Sequence, residues 1–425
     1  GMKKIVIILL MSVLFLHSIV NFQFNSRSAL ADSAQPKYFV DDNFNSSTPG
    51  WQSDHFDKIQ DAIDVAESNE RIIVYDGIYE ENIVINNGIS LFGEDVNQVI
   101  IDGGTEGSVV TITASNVDFS TFTIQNSGTN DSDAGIKITS SSGNCQIVEN
   151  KIKNCVYGLF VDRCQNTLFS QNKIFETTNA TFFISSDKNT IEYNEVFDNE
   201  KHGIFLNRTC SDNLIQKNTV YNNGWYGLYL NDNCVDNTLS ENTLYENENT
   251  GIRIEDSVSN TIVSNNDVTN NANYGIFVVG SNTDIIENTV CEHGKHGIFL
   301  FADDSTTVTD NNASNNGLDG IRLQNSTNNV VKDNVILNND RHGVYVNFYS
   351  IKNQIYNNYF SGSEVNAKDI SPKDSQNEWF QSSIMEPNII NGPFIAGNFG
   401  VIMRALMKIE MGSEIVHMLL VEEKK

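Results

Sequence analysis

The chain has 425 residues, of which 54 are Asp or Glu and 27 are Lys or Arg, giving a formal net charge of −27. A chain this acidic does not suit nucleic acid or an anionic membrane as a partner, because both need a basic face. Only 5 prolines, with abundant Asn, Thr, Ser and Val, fit a β-rich protein with polar turns.

Gly1 stands before Met2 and reads as a cloning remnant. Lys3 and Lys4 lead into an apolar run from Ile5 to Leu16, and a small-residue site follows at Ala29-Leu30-Ala31. Residues 1–31 therefore read as a secretory signal cleaved before Asp32. The competing reading is an uncleaved anchor, for which the run is short against the ~20 residues of a span. Either way the protein is expected to be secreted, extracellular or at the cell surface (periplasmic in a cell with two membranes), and with the signal cleaved no membrane span is expected in the mature chain. Residues 32–70 read as an amino-terminal cap. It contains a helix over 53–66, capped by Ser53 or Asp54, with Phe56, Ile59, Ile63 and Ala66 on one face.

From residue 71 to about 365 the chain repeats. Gly135, Gly158, Gly203, Gly227, Gly251, Gly275, Gly297, Gly320 and Gly343 each open a similar phrase (AGIKI, YGLFV, HGIFL and so on), with Thr181 in the one slot lacking a glycine. A fixed period of 22–24 residues means one unit stacked many times, not a conventional core. Each unit carries three short strands, as in GIFLN, NLIQKN and TVYNN, with Ile204 and Leu206 inward and Phe205 outward. An asparagine recurs at Asn150, Asn172, Asn194, Asn218, Asn242, Asn266, Asn288, Asn312, Asn334 and Asn358. Asparagine suits a left-handed corner, and its amide can form a ladder from coil to coil. The expected fold is all-β: a single-stranded right-handed parallel β-helix of ten coils. The helix covers its first end, residues 366–399 form a closing cap, and residues 400–425 are a tail that does not fit.

IQDAIDVA, YDGIYEENIVI, GEDVNQVIIDGG and the repeated coils resemble the pectate-lyase-like superfamily, and most of all its NosD-type β-helix repeats. The resemblance covers about residues 38–398. It implies the fold strongly and activity weakly, since such repeats serve in binding proteins, lyases, epimerases and hydrolases. It also explains the tail. In similar proteins NGPFIAGN is followed by YWSDYxGxDxxxDGIGDxPY, whereas here Met403, Met407, Met411 and Met418 crowd the sequence. Permitted codons read one base earlier give WSDYEGVDENRDGIGDSPYVISGRE, so the tail reads as a frameshift product, with a genuine amphipathic helix as the competing reading. The restored phrase has calcium-loop spacing, which makes Ca²⁺ a candidate cofactor.

Stacking places the second residue after each glycine on the outside: Lys137, Phe160, Phe183, Phe205, Tyr229, Arg253, Phe277, Phe299, Arg322 and Tyr345. The residue before the glycine contributes Tyr157, Ala180, His202, Tyr226, Thr250, Tyr274, His296, Asp319 and His342. An outward strip of rings and imidazoles suits the apolar faces of sugars, and polysaccharide is the expected partner. The competing reading is a ladder of aromatics that stabilises the sheet alone. Two clusters could carry acid–base chemistry: Lys201, His202, Tyr226, Arg253, Glu255 and Asp256, then Lys295, His296, Asp303, Asp304, Asp319, Arg322, Arg341 and His342. These would serve a lyase or epimerase of acidic (uronate) glycans, the competing function, although no residue series typical of such an enzyme stands out. A purely structural surface protein is a further alternative.

Asp303 and Asp304 are the candidate metal ligands. The NosD resemblance implies copper-site maturation, but copper wants clustered His, Cys or Met, and the histidines here are spread along the coils. Cys210 and Cys234 each lie seven residues after a glycine. They should stack ~4.8 Å apart, within reach of a disulfide or as packed thiols.

Overall fold

The structure is a computed structural model that describes residues 35–139, 142–280, 282–381, 389–390 and 395–396. The signal segment and the tail after Asn398 lie outside the described residues. Three parallel sheets of 17, 13 and 14 strands wrap one narrow core. Each coil contributes one strand to each sheet. In one coil these are Ile204–Asn207, Leu214–Gln216 and Thr219–Tyr221, as the repeat predicts. The stack is longer than the ten coils counted from the glycines, because coils before Gly135 obey the same geometry without the phrase. Strand Gly77–Glu80 already pairs with Val99–Asp102, and the 13 strands of that sheet span about 60 Å at ~4.8 Å each. At the far end Val365–Asp369 and Glu378–Gln381 still pair in parallel with the preceding coils, so regular coils run past residue 365 into the expected cap.

The helix is Ile59–Val65, shorter than the 53–66 predicted. His55–Phe56 is instead a strand paired with Tyr38–Val40, which leaves Ser53 and Asp54 too far away to cap. Glu81 does that work from the first coil. Its two carboxylate oxygens accept the amides of Ile59 and Gln60 at 2.9 and 3.0 Å, placing negative charge where the helix has unpaired N–H groups. Ile59, Ala62 and Ile63 are buried and seal the open end of the core.

The glycine column has a steric cause. A Cβ on Gly227 would stand 2.7 Å from the carbonyl oxygen of Gly251 and 2.8 Å from Leu244, so the sheet closes on the next corner only without a side chain. In the exceptional coil it is Ala180, not Thr181, that fills this slot: Thr181 pairs with Leu159 and Ile204. One residue of register reverses every side chain. Phe183 is therefore buried in the core at 1 % exposure, and Phe182 takes its place in the outward column.

The asparagine ladder runs through the buried interior. Asn218 Nδ2 donates to Asn242 Oδ1 at 2.9 Å and to the Ile191 carbonyl at 2.8 Å. Its Oδ1 accepts the backbone amide and the Nδ2 of Asn194, both at 3.0 Å. Two corrections follow. Asn311, not Asn312, is the rung between Asn288 and Asn334. The left-handed corner also falls on the residue before each rung, such as Glu149, Gln171, Tyr193 and Lys217, so the asparagine is there to satisfy buried backbone rather than to make the turn. Two further ladders went unnoticed in the sequence. One runs Asn189–Asn213–Asn237, and the other Asn199–Asn223–Asn247–Asn271 and then through His293. Replacing Asn218 by Ala strands the Asn194 amide and the Ile191 carbonyl in a dry core. A loss of about 2–4 kcal/mol is expected, measured by urea denaturation.

Candidate functional site

The outward column is continuous in register on the 14-stranded sheet: Lys137, Phe160, Phe182, Phe205, Tyr229, Arg253, Phe277, Phe299, Arg322, Tyr345 and Lys368. Its rings stack on one another, with Phe205 and Tyr229 centroids at 4.5 Å and Phe277 and Phe299 at 4.7 Å. The cations are inserted between rings. Arg253 lies over Tyr226 and Phe277 at 5.3 and 4.3 Å, and Arg322 over Phe299 and Tyr345 at 5.7 and 4.6 Å. The strip is less exposed than the sequence suggests, because the residues before each glycine lean over it. Phe277 and Phe299 are only 9 and 7 % exposed.

The first predicted cluster largely assembles. His202 is buried among Phe205, Trp225, Tyr226 and Tyr229, all with centroids 5.0–5.1 Å away. Burial lowers its pKa to about 4, with Lys201 adding to the effect. Lys201 sits over Trp225, and Arg253 Nε donates to Glu255 at 2.6 Å. Asp256 is left out: it is exposed and accepts the Ser257 amide in the turn. Trp225 was missed. It lies two residues before its glycine, outside the columns read from the sequence, and it is the most exposed ring of this cluster at 49 %.

The second cluster forms around Asp319, whose side chain is fully buried. His296, Asp319 and His342 stand in one column on successive coils. Arg341 donates to the Asp319 carboxylate from Nε and Nη2 at 2.9 and 2.8 Å, and Arg322 from Nη1 at 3.0 Å. His342 Nδ1 lies 2.6 Å from Oδ1; the ionised carboxylate only accepts, so this nitrogen carries the proton. His296 Nδ1 accepts the Asp319 backbone amide at 3.2 Å and is therefore unprotonated there, so its 3.3 Å approach to Oδ2 is a contact rather than a hydrogen bond. Burial pushes the His296 pKa down to about 4. Burial would raise the Asp319 carboxyl, but the hydrogen bonds and charge of Arg341, with the hydrogen bond from His342, hold it below the usual range. Above this centre a groove of about 460 Å³ opens, lined by Tyr274, Phe277, Lys295, Phe299, Arg322 and Arg341 among others.

Asp303 and Asp304 do not join it. They lie in the turn after strand Ile298–Phe301, where Asp304 accepts from Thr327 and Asn328 at 2.9 and 2.7 Å. Among the described residues no three His, Cys, Asp or Glu side chains are placed to share a metal ion. The Asp319 centre does not fit copper either, since its carboxylate is taken by two guanidinium groups and one imidazole lone pair by a backbone N–H. Cys210 and Cys234 do stack on neighbouring coils, buried, and both are free thiols. What the Asp319 centre can supply is a fixed imidazole tautomer at His342 and a dense field of positive charge.

Two family models match the chain. One is described as a right handed beta helix region and covers residues 87–268. The other is described as periplasmic copper-binding protein (NosD) and covers residues 246–399. This chain is a right-handed parallel β-helix. Among solved structures it is similar to the A-module of the Azotobacter vinelandii mannuronan C-5 epimerase AlgE6, at 16 % identity and a TM-score of 0.53, over 80 % of this chain and 94 % of that one. The DFA-IIIase from Arthrobacter chlorophenolicus A6 is similar at 12 % identity and 0.53, over 76 % and 94 %. At such identities the likeness is one of fold. No curated protein matches the sequence. No helix among the described residues is long and apolar enough to cross a membrane.

Proposed function

We propose that this β-helix binds polysaccharide along the outward strip of its 14-stranded sheet. The observation that carries the reading is one unbroken register of rings and cations, from Phe205 to Arg322, with the open indole of Trp225 beside one end and the groove over Asp319 at the other. Aromatic faces offer rigid apolar platforms, and the arginines and lysines beside them offer donors to hydroxyls. A simple stabilising ladder accounts for the buried Phe277 and Phe299. It does not account for a half-exposed Trp225 or for a groove kept open above buried charge. The rod geometry suits a polymer, since every coil from Lys137 to Lys368 presents a ring or a cation ~4.8 Å further on.

Glycan-array binding of the full chain tests the reading. Trp225→Ala and Tyr226→Ala should each weaken binding about tenfold, as expected for loss of an exposed aromatic anchor. Failure of the unaltered protein to bind any polysaccharide overturns the proposal.

A further inference from the structure

The geometry points to a more specific role for the Asp319 centre: it is a subsite for the carboxylate of an acidic sugar residue. This rests on the polysaccharide reading and names the chemistry of one of its subsites. The first argument is charge. Lys295, Arg322 and Arg341 bring three cations to the groove, and Asp319 balances one of them, while the buried His296 is neutral. The groove is thus net positive in a protein of net charge −27. The outward column repeats the bias, holding Lys137, Arg253, Arg322 and Lys368 and no carboxylate. Excess charge of one sign over low-dielectric walls focuses its field on the cleft and draws in the opposite charge.

The second argument is preorganisation. Gln324 Oε1 accepts Arg322 Nε and Nη2 at 3.1 and 2.9 Å, and Asp319 fixes Arg341, so neither guanidinium must be ordered on binding. Among the described residues Arg341 donates from Nε and Nη2 to Asp319 and leaves Nη1 for a ligand. Lys295 is exposed and stands 5.4 Å over the Tyr274 ring, at the edge of the groove. A sugar stacked near Tyr274 would bring an equatorial carboxylate between Lys295 and Arg341, where charge-assisted hydrogen bonds form. The ring-lined cluster around His202 lies five coils from Asp319, ~24 Å along the rod, and pairs Arg253 with Glu255. It suits the uncharged face of a sugar. The two ends of the strip would therefore read different features of one chain.

The test titrates the full-length protein with polygalacturonate and polymannuronate, each as the free acid and as the methyl ester. The ester keeps the backbone and removes the charge. The free acids should bind at least ~10-fold tighter at low ionic strength, and added salt should close the gap. Lys295→Gln, at an exposed side chain whose loss does not threaten folding, should weaken binding of the free acid and leave the ester unchanged. Arg341→Gln should do the same. Equal binding of acid and ester overturns the carboxylate subsite and leaves the polysaccharide reading standing. So does equal binding of a sulfated neutral polymer, which would assign the groove to anions in general. Binding of neither acid nor ester, with no other glycan bound, removes both.

Discussion

Replacing Asp319 by Ala should cost about 3–5 kcal/mol, the range for stripping one partner from a buried ionic cluster. Arg322 and Arg341 would then face each other over His296 and His342 with no carboxylate between them. In a solenoid such damage stays local, because each coil packs only on its neighbours. Amide exchange should accelerate across residues 296–346 and not in the coils around Asn150. Asp319→Asn should fall between wild type and Ala, since the amide oxygen still accepts one guanidinium. Adding Arg341→Met to Asp319→Ala should recover part of the loss by removing one of the uncompensated charges, the signature of electrostatic coupling rather than of a cavity. Urea denaturation of wild type, Asp319→Ala, Arg341→Met and the double variant measures the cycle, with Asp319→Asn alongside. A loss below about 1 kcal/mol for Asp319→Ala, or no recovery in the double variant, contradicts this account.

How much of this was legible depends on what each residue has to satisfy. The glycine column was readable because a Cβ there collides with the next coil's carbonyl, and a steric veto leaves a strict trace. Rungs such as Asn218 were readable for a similar reason: a buried corner needs a donor and an acceptor on one short side chain. Errors came where two like residues stand side by side. Asn311 next to Asn312, and Phe182 next to Phe183, cannot be told apart by period alone, yet one residue decides which is buried. The Asp319 centre was half legible. Its column position beside His296 and His342 follows from the period, but not that two arginines fold over the carboxylate and bury it completely. Trp225 escaped because the tryptophan is not repeated in its column: Lys201 and Asn249 hold the same place one coil away on either side.

The second large effect is on pH. His202, His293 and His296 are all buried, and burial holds each pKa down to about 4, against an ordinary value near 6.5. His293 shows why the neutral form is required. It replaces an asparagine in the ladder, accepting the Asn271 amide at Nδ1 at 3.1 Å and donating from Nε2 to the Val268 carbonyl at 3.0 Å. One lone pair and one N–H imitate a carboxamide, and a second proton would set two donors against each other. The sign follows from linkage. Above pH 6.5 both folded and unfolded chains carry neutral imidazoles, and stability is full. Between 6.5 and 4 the unfolded chain binds protons that the folded chain refuses, so stability falls as the pH falls, by up to about 3 kcal/mol per histidine. Asp319, whose folded pKa is depressed, adds its own loss only below this window, as the pH falls through that value. Urea midpoints should therefore drop steeply between pH 7 and 5, before most carboxylates titrate. His293→Asn restores a ladder rung that has no proton to gain. It should lower the pH slope by about one third and leave stability at pH 7.5 within about 1 kcal/mol of wild type. A urea midpoint that does not move between pH 7 and 5 would mean that these imidazoles are not buried neutral.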